Sequence, residues 1–372
     1  MTVATILVTG AFGQVGKRCA QILLDRGRTV IATDLRTDKT VATQKELSAG
    51  TGKLIPAYID LLNAEAVREL VATHRPDAII HLAAVVSPPS YRNPGLARRV
   101  NVGGTENLLK AALKAAPENI DALPRKPLFL MASSAAVYGS RNPYRYPERI
   151  TPDTPVDPID QYGQDKVLAE AAIRASGLPY ALFRLGAVIS PDTHSNVSSD
   201  HLTLMRSIPG DNRIHAVDAR DVALAFANGV DREATISGKA LLIGGNESCV
   251  MLQRDLEDDL MSAVGLGRLG PSASLPGNPD DDRGWSFTGW FDTTESQALL
   301  DFQQHDWNQT MAWIARSQGH TRTVLRAASP LLRPVVRTAL QLQRRVEGRG
   351  PYADPWALIV QKYGPGALAD TD

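Results

Sequence analysis

Thr5-Ile6-Leu7-Val8-Thr9-Gly10-Ala11-Phe12-Gly13-Gln14-Val15-Gly16 decides how the rest of the chain is read. The apolar, partly β-branched run at residues 5–8 has the pattern of a strand buried on both faces in a parallel sheet. Glycines at spacing three and three then turn the backbone into a helix predicted over 14–26. The free N–H groups and positive dipole end at that helix start suit a pyrophosphate. In this reading Gly10 permits the tight turn, Gly13 lets a phosphate approach, and Gly16 lets helix pack on strand, with Phe12, Gln14 and Val15 completing the loop. A second strand, 29–33, ends at Asp34 and Leu35. Asp34 lies eighteen residues past Gly16, where an acid accepts bonds from the hydroxyls of an adenosine ribose and repels a 2′-phosphate. NAD is therefore expected in preference to NADP, although Arg36 stands two residues on.

The chain has 372 residues with 40 basic and 40 acidic side chains. A net charge of zero gives no reason to expect nucleic acid as a partner. Cys19 and Cys249 stand far apart and in no paired motif, so neither a disulfide framework nor a thiolate metal site is expected, and no metal is assigned. The first strand begins near Val3, which leaves no room for a signal peptide, and no apolar run approaches the roughly 20 residues of a spanning helix. A cytoplasmic protein is expected.

Strand and helix alternate through the first half of the chain. Strands are predicted at 53–59, closing on Asp60-Leu61, at 78–84, at 127–132 and at 179–184. Helices are predicted at 64–73, 94–116 and 161–175. Such alternation means an α/β fold, a doubly wound parallel sheet of Rossmann type. The 94–116 helix carries Asn101 and the pair Gly103-Gly104, whose cost of about 1 kcal/mol each in a helix suggests close packing. Beyond Arg184 the pattern loosens, returning to order in a segment at 214–218, a helix at 219–229 and a strand at 240–243, with two helices expected within 251–315. The expected domains are a dinucleotide-binding unit of 1–185 with 212–250, a smaller substrate lobe of 186–211 and 251–316, and a helical C-terminal extension of 317–372.

Tyr162 and Lys166 stand four apart at the start of the 161–175 helix, so both side chains leave one face. An ammonium beside a phenol favours the phenolate, so the Tyr162 pKa is expected below 10. Tyr162 could then exchange a proton with an alcohol while Ser134 holds the substrate oxygen.

The glycine loop, Asp34, Asp60-Leu61, His81-Leu82-Ala83-Ala84, Asn101 before Val102-Gly103-Gly104-Thr105, Ser133-Ser134-Ala135-Ala136-Val137-Tyr138-Gly139, Tyr162-x-x-x-Lys166 and Arg184 occur in one order. Together, over residues 3 to about 315, they resemble the extended short-chain dehydrogenase/reductase family, the NAD-dependent epimerase/dehydratase group. The resemblance implies a Rossmann fold, a bound nicotinamide dinucleotide, and hydride transfer assisted by Ser134, Tyr162 and Lys166, with Lys166 also on the ribose hydroxyls. It implies Asp60 and Leu61 by the adenine, and Leu82, Ala83, Ala84 and Asn101 along the cofactor. Departures from the family refine the expectation. Ala135 and Ala136 replace the acid pair of nucleotide-sugar dehydratases. Gly186-Ala187-Val188 lacks the Asn of nucleotide-sugar epimerases, and Asp211 stands where those enzymes carry an arginine for the diphosphate, with Arg213 as the nearest substitute. The leading expectation is hydride transfer between the nicotinamide and a secondary alcohol or ketone of a small or apolar substrate. A nucleotide-sugar 4-epimerase is the alternative, and a non-catalytic dinucleotide sensor is a third reading.

In the tail, Arg322, Arg326, Arg333, Arg337 and Arg344 fall on one side of a predicted helix over 321–349. Leu325, Leu332, Val336, Ala339, Leu342 and Val346 fall on another, with an interruption expected near Pro330 and Pro334. Packing on the core or on a second subunit, giving a homodimer, is one expectation. Peripheral contact of 321–363 with an anionic membrane surface is the other.

Overall fold

Along β1 (Thr5–Thr9) Ile6 and Val8 enter one apolar core and Leu7 the other, all three buried, because successive strand side chains point to opposite faces. The structure, a computed structural model, describes residues 4–47, 50–114, 126–194, 207–286 and 289–370. Residues 195–206 of the expected substrate lobe lie outside the described residues.

Strands β1, β2 (Thr29–Asp34), β3 (Lys53–Tyr58), β4 (Ala78–His81), β5 (Leu128–Ser134), β6 (Tyr180–Leu185) and β9 (Ala240–Ile243) form one parallel sheet in the order β3-β2-β1-β4-β5-β6-β9. Register is direct, with Ile6 beside both Val30 and Ala78. One face is covered by α1 (Gly16–Asp25), α6 (Ala219–Val230) and α8 (Thr294–Leu300), which contribute Leu23, Phe226 and Leu300. The other face is covered by α3 (Ala64–His74), α4 (Gly104–Lys114) and α5 (Gln161–Ala175), which contribute Val67, Leu108 and Ile173. The remaining helix of this half, α2 (Asp38–Glu46), follows β2. Strand order reverses between β1 and β4, and a doubly wound sheet binds its ligand at the carboxyl ends flanking that reversal.

A second, three-stranded sheet is made of β7 (Ala187–Ile189), β8 (Arg213–Asp218) and β10 (Val250–Leu252). It shares a core with α7 (Gln253–Val264) and α9 (Trp307–Ser317), built on Ile214, Leu256, Leu260, Trp307 and Ile314. Three helices, α7, α8 and α9, occupy 251–315 where two were expected. The extension forms α10 (Gly319–Val346) and α11 (Pro355–Tyr363).

Three local expectations need correction. Strand β4 stops at His81 instead of continuing to residue 84, because Ala83 N turns to Thr9 Oγ1 at 3.2 Å, while Leu82 N divides between Thr9 Oγ1 at 3.2 Å and Thr9 O at 3.3 Å. The helix expected at 94–116 opens into a wider π turn at Arg99–Gly103 before α4, and only Gly104 is tightly packed, against Leu61. Helix α10 runs through Pro330 and Pro334 without a break. Both prolines are exposed, so water can take the carbonyls of Arg326 and Pro330 that they leave unbonded.

Candidate active site

The loop after β1 has the geometry its glycines suggest. Gly10 adopts φ +63°, and a Cβ there would lie 2.9 Å from Ala83 N. A Cβ on Gly16 would fall 2.0 Å from Gly10 O, so the helix start sits directly on the strand end. No side chain caps α1, which leaves its first turn open toward the cleft. Asp34 closes the far side, its carboxylate accepting Phe12 N at 3.2 Å and Leu35 N at 2.8 Å. Burial raises its pKa from the ordinary value, and these two amide bonds oppose the rise.

These elements surround a cavity of about 720 Å³. Gly10, Gly13, Gln14, Val15, Gly16, Asp34, Leu35, Asp60, Leu61, Leu82, Ala83, Ala84, Ser134, Tyr162 and Lys166 all line it. Phe12 and Asn101 do not. Phe12 is buried against Tyr58 and acts through its amide on Asp34. Asn101 accepts Val85 N at 2.8 Å and donates to Val85 O at 3.1 Å, so it shapes the cavity wall from behind. The residues present fit a dinucleotide: a glycine cradle, an uncapped helix start and an acid at the end of β2. Val85, Val86, Leu96, Leu185 and Val188 add an apolar lining, and Leu185 lies beside Ser134 in register.

Ser134 ends β5 and accepts Ala136 N at 3.2 Å. It stands on the same wall of the cavity as Tyr162. Lys166 is buried, donates to Ala132 O at 2.8 Å, and holds its Nζ 5.7 Å from the centre of the Tyr162 ring. The three residues named from the sequence therefore meet at one wall of the cleft.

Their proton affinities differ from the expectation. Burial, with the charges of Asp160 and Asp165, raises the Tyr162 phenol well above its ordinary value, and only the Ser134 hydroxyl opposes this. Burial also lowers Lys166, to about 8. Low dielectric outweighs the neighbouring ammonium here, so Tyr162 is a protonated phenol at neutral pH.

Several supporting residues escaped the sequence reading. Asp160 caps α5 through Gly163 N at 2.8 Å and accepts the Tyr91 hydroxyl at 2.6 Å. Glu170, one turn after Lys166, takes Ser133 Oγ at 2.6 Å and two bonds from Arg184 at 3.0 and 2.7 Å. Asp just before a helix and an acid at i+4 from Lys166 were readable signals. Tyr91 gave none. His81 is buried between Thr9 Oγ1 and Thr105 Oγ1, and burial lowers it to about 3, so it is neutral scaffolding.

Beyond the catalytic wall, Asp211 accepts Gly277 N at 2.8 Å and the Tyr144 hydroxyl at 3.3 Å. Arg213 donates to Pro147 O at 2.7 Å and Tyr146 O at 3.2 Å, with its guanidinium 4.4 Å over the Trp290 ring. Both buried thiols, Cys19 and Cys249, are pushed up by burial, to about 12 and about 11. Among the described residues no cluster of three or more His, Cys, Asp or Glu could hold a metal ion.

The sequence model of the NAD dependent epimerase/dehydratase family matches residues 6–226. A UDP-glucose 4-epimerase of Azospirillum brasilense is 31% identical over 183 residues, covering 48% of this chain and 46% of that protein. A D-erythronate dehydrogenase of Haemophilus influenzae is 29% identical over 169 residues, covering 45% and 48%. The chain thus spans about half the length of these relatives. The crystal structure of a UDP-glucose 4-epimerase with UDP-glucose from Thermotoga maritima superposes with a TM-score of 0.64 at 20% identity, covering 86% of this chain and 99% of that one.

Proposed function

The chain belongs to the NAD-dependent epimerase/dehydratase family, and on that premise we propose that it is an NAD-dependent oxidoreductase acting on a secondary alcohol or ketone of a small or apolar substrate. The observation that carries the substrate class is the environment of Asp211. A carboxylate bonded to Gly277 N and Tyr144 is poor company for a diphosphate, and Arg213 gives its Nη1 to the carbonyls of residues 146 and 147. Apolar Val85, Val86, Leu185 and Val188 support the same reading.

Bound in the cleft, the dinucleotide supplies or takes up the hydride. The chain's own residues handle the oxygen and its proton. Ser134 Oγ and the Tyr162 hydroxyl, which line one wall of the cleft, offer two hydrogen bonds to one substrate oxygen. Because Tyr162 holds its proton at neutral pH, it serves as the general acid when a ketone is reduced, and the Lys166 ammonium steadies the phenolate left behind. The reverse step, alcohol oxidation, returns the proton to the phenolate and therefore draws on the deprotonated form of Tyr162.

Calorimetry on the NAD-loaded protein tests the substrate class. No binding of UDP, GDP or dTDP is expected, while secondary alcohols without a nucleotide should reduce NAD. Binding of any of the three, displaced by the matching sugar nucleotide, would put the 4-epimerase activity named for the Azospirillum relative in first place.

A further inference from the structure

Helix α10 is mounted with its apolar side outward. Arg322 Nε donates to Ala263 O at 2.9 Å, Arg337 Nε to Leu269 O at 2.5 Å, and Arg344 Nη1 to Ser272 O at 3.1 Å. Arg333 lies against Gly267. These arginines pin the helix to the end of α7 and the loop after it, and Leu325, Leu332 and Val336 are half-buried alongside. Val324, Leu331, Val335, Leu342 and Val346 are left between 59 and 80 % exposed. Their spacing of seven, four, seven and four residues follows the 11-residue repeat that stays on one line of an α-helix. The line is about 33 Å long at 1.5 Å per residue. Burying a large apolar side chain stabilises by about 1.5 kcal/mol or more, so a stripe of five calls for a partner.

We propose that this stripe seats the protein on a membrane surface carrying anionic lipid headgroups. Charge selects the occupant. The whole chain balances 40 basic against 40 acidic residues, yet the 28 residues of α10 hold six arginines and no Asp or Glu. Arg322, Arg333 and Arg337 donate to neutral carbonyls, which leave their charge in place, while Arg344 also lies in the field of Glu257. Arg326 and Arg345 are exposed. Beneath the helix, Asp258 is taken by the amides of Leu269 and Gly270, and Asp259 by Arg268 and Trp307. A second copy would present the same acid-free helix, whereas anionic headgroups complement it. No described helix is long and apolar enough to cross a membrane, so α10 lies on the surface.

Co-sedimentation with phosphatidylcholine vesicles, with and without phosphatidylglycerol, tests this on the full chain. Binding is expected only with phosphatidylglycerol, and should be lost as salt rises from about 0.01 to 1 M, where the Debye length shrinks from about 30 to 3 Å. Leu331→Asp with Val335→Asp should weaken binding at least tenfold. Arg345→Gln, next to Val346 at the edge of the stripe, should weaken it about fivefold, the value of one basic residue near such a surface. All three positions are exposed, so an unchanged melting temperature certifies each variant's fold. Failure to bind anionic vesicles at low salt overturns the proposal, as does equal binding to pure phosphatidylcholine. A dimer that ignores vesicles and is dissociated by the Asp pair would assign the stripe to a seam between copies.

Discussion

At the scale of single residues, the Tyr162–Lys166 pair shows how burial overrides proximity. A phenol beside an ammonium in water would lose its proton more easily; here desolvation raises the phenol and lowers the amine. Two outcomes follow. Tyr162→Phe should lower kcat by about 10² to 10⁴, the usual worth of a general acid or base, with NAD affinity and Tm unchanged; a Phe variant near the original rate would remove Tyr162 from the chemistry. The second outcome concerns pH. Since Lys166 sits at about 8 instead of its ordinary 10.5, its ammonium is present below pH 8 and lost above it, while Tyr162 stays protonated throughout. Ketone reduction should therefore hold level up to about pH 8 and then fall tenfold per unit as the phenolate loses its stabilising cation. A profile flat to pH 10 would mean that the ammonium does not act on the phenolate.

At the scale of elements, the same catalytic residues depend on the start of α5. Tyr91 donates its hydroxyl to Asp160, and Asp160 caps the helix that carries Tyr162 and Lys166. Tyr91→Phe strips a buried carboxylate of one partner, which should cost about 1 to 3 kcal/mol of stability, read as a lower urea midpoint. A loss below about 0.5 kcal/mol would mean that water replaces the phenol. This contact spans 69 residues, and its distance explains what was legible in the sequence. Strands β2 and β9 could be read to within a residue, because their apolar runs are bounded by glycines or acids next in sequence. Ser134, Tyr162 and Lys166 could be read because motif and spacing carry them. Where β4 ends could not, since Thr9 decides it across the sheet. Nor could the orientation of α10: its periodicity identifies two faces, but only the carbonyls of 263, 269 and 272 decide which one turns inward.

At the scale of the whole molecule, the extension does two separate things. While α10 faces outward, α11 and the residues after it strap the catalytic half to the smaller sheet's side. Trp356 Nε1 donates to Trp285 O at 2.9 Å, and Ala353 N to Pro276 O at 2.8 Å. Trp356 and Ile359 share an apolar cluster with Tyr91 and Ile159. Ala369 N then reaches Ile159 O at 3.1 Å, and Asp370 meets Arg98 at 2.9 Å and Gln164 at 3.3 Å, directly beside the start of α5. The glycine loop and Asp34 make none of these contacts. Removing residues 352–372 should therefore separate chemistry from cofactor binding. The cap and the apolar cover of Tyr91 would loosen, and small displacements of catalytic groups cost up to about 10²-fold in rate. We expect kcat to fall at least about tenfold on this scale, with the NAD dissociation constant within about twofold of the full chain, measured by steady-state kinetics and fluorescence titration on the same preparations. Equal loss of both would mean that the strap supports the sheet as a whole. An unchanged kcat would show that the start of α5 is held by Tyr91 and Asp160 without help from the chain's end.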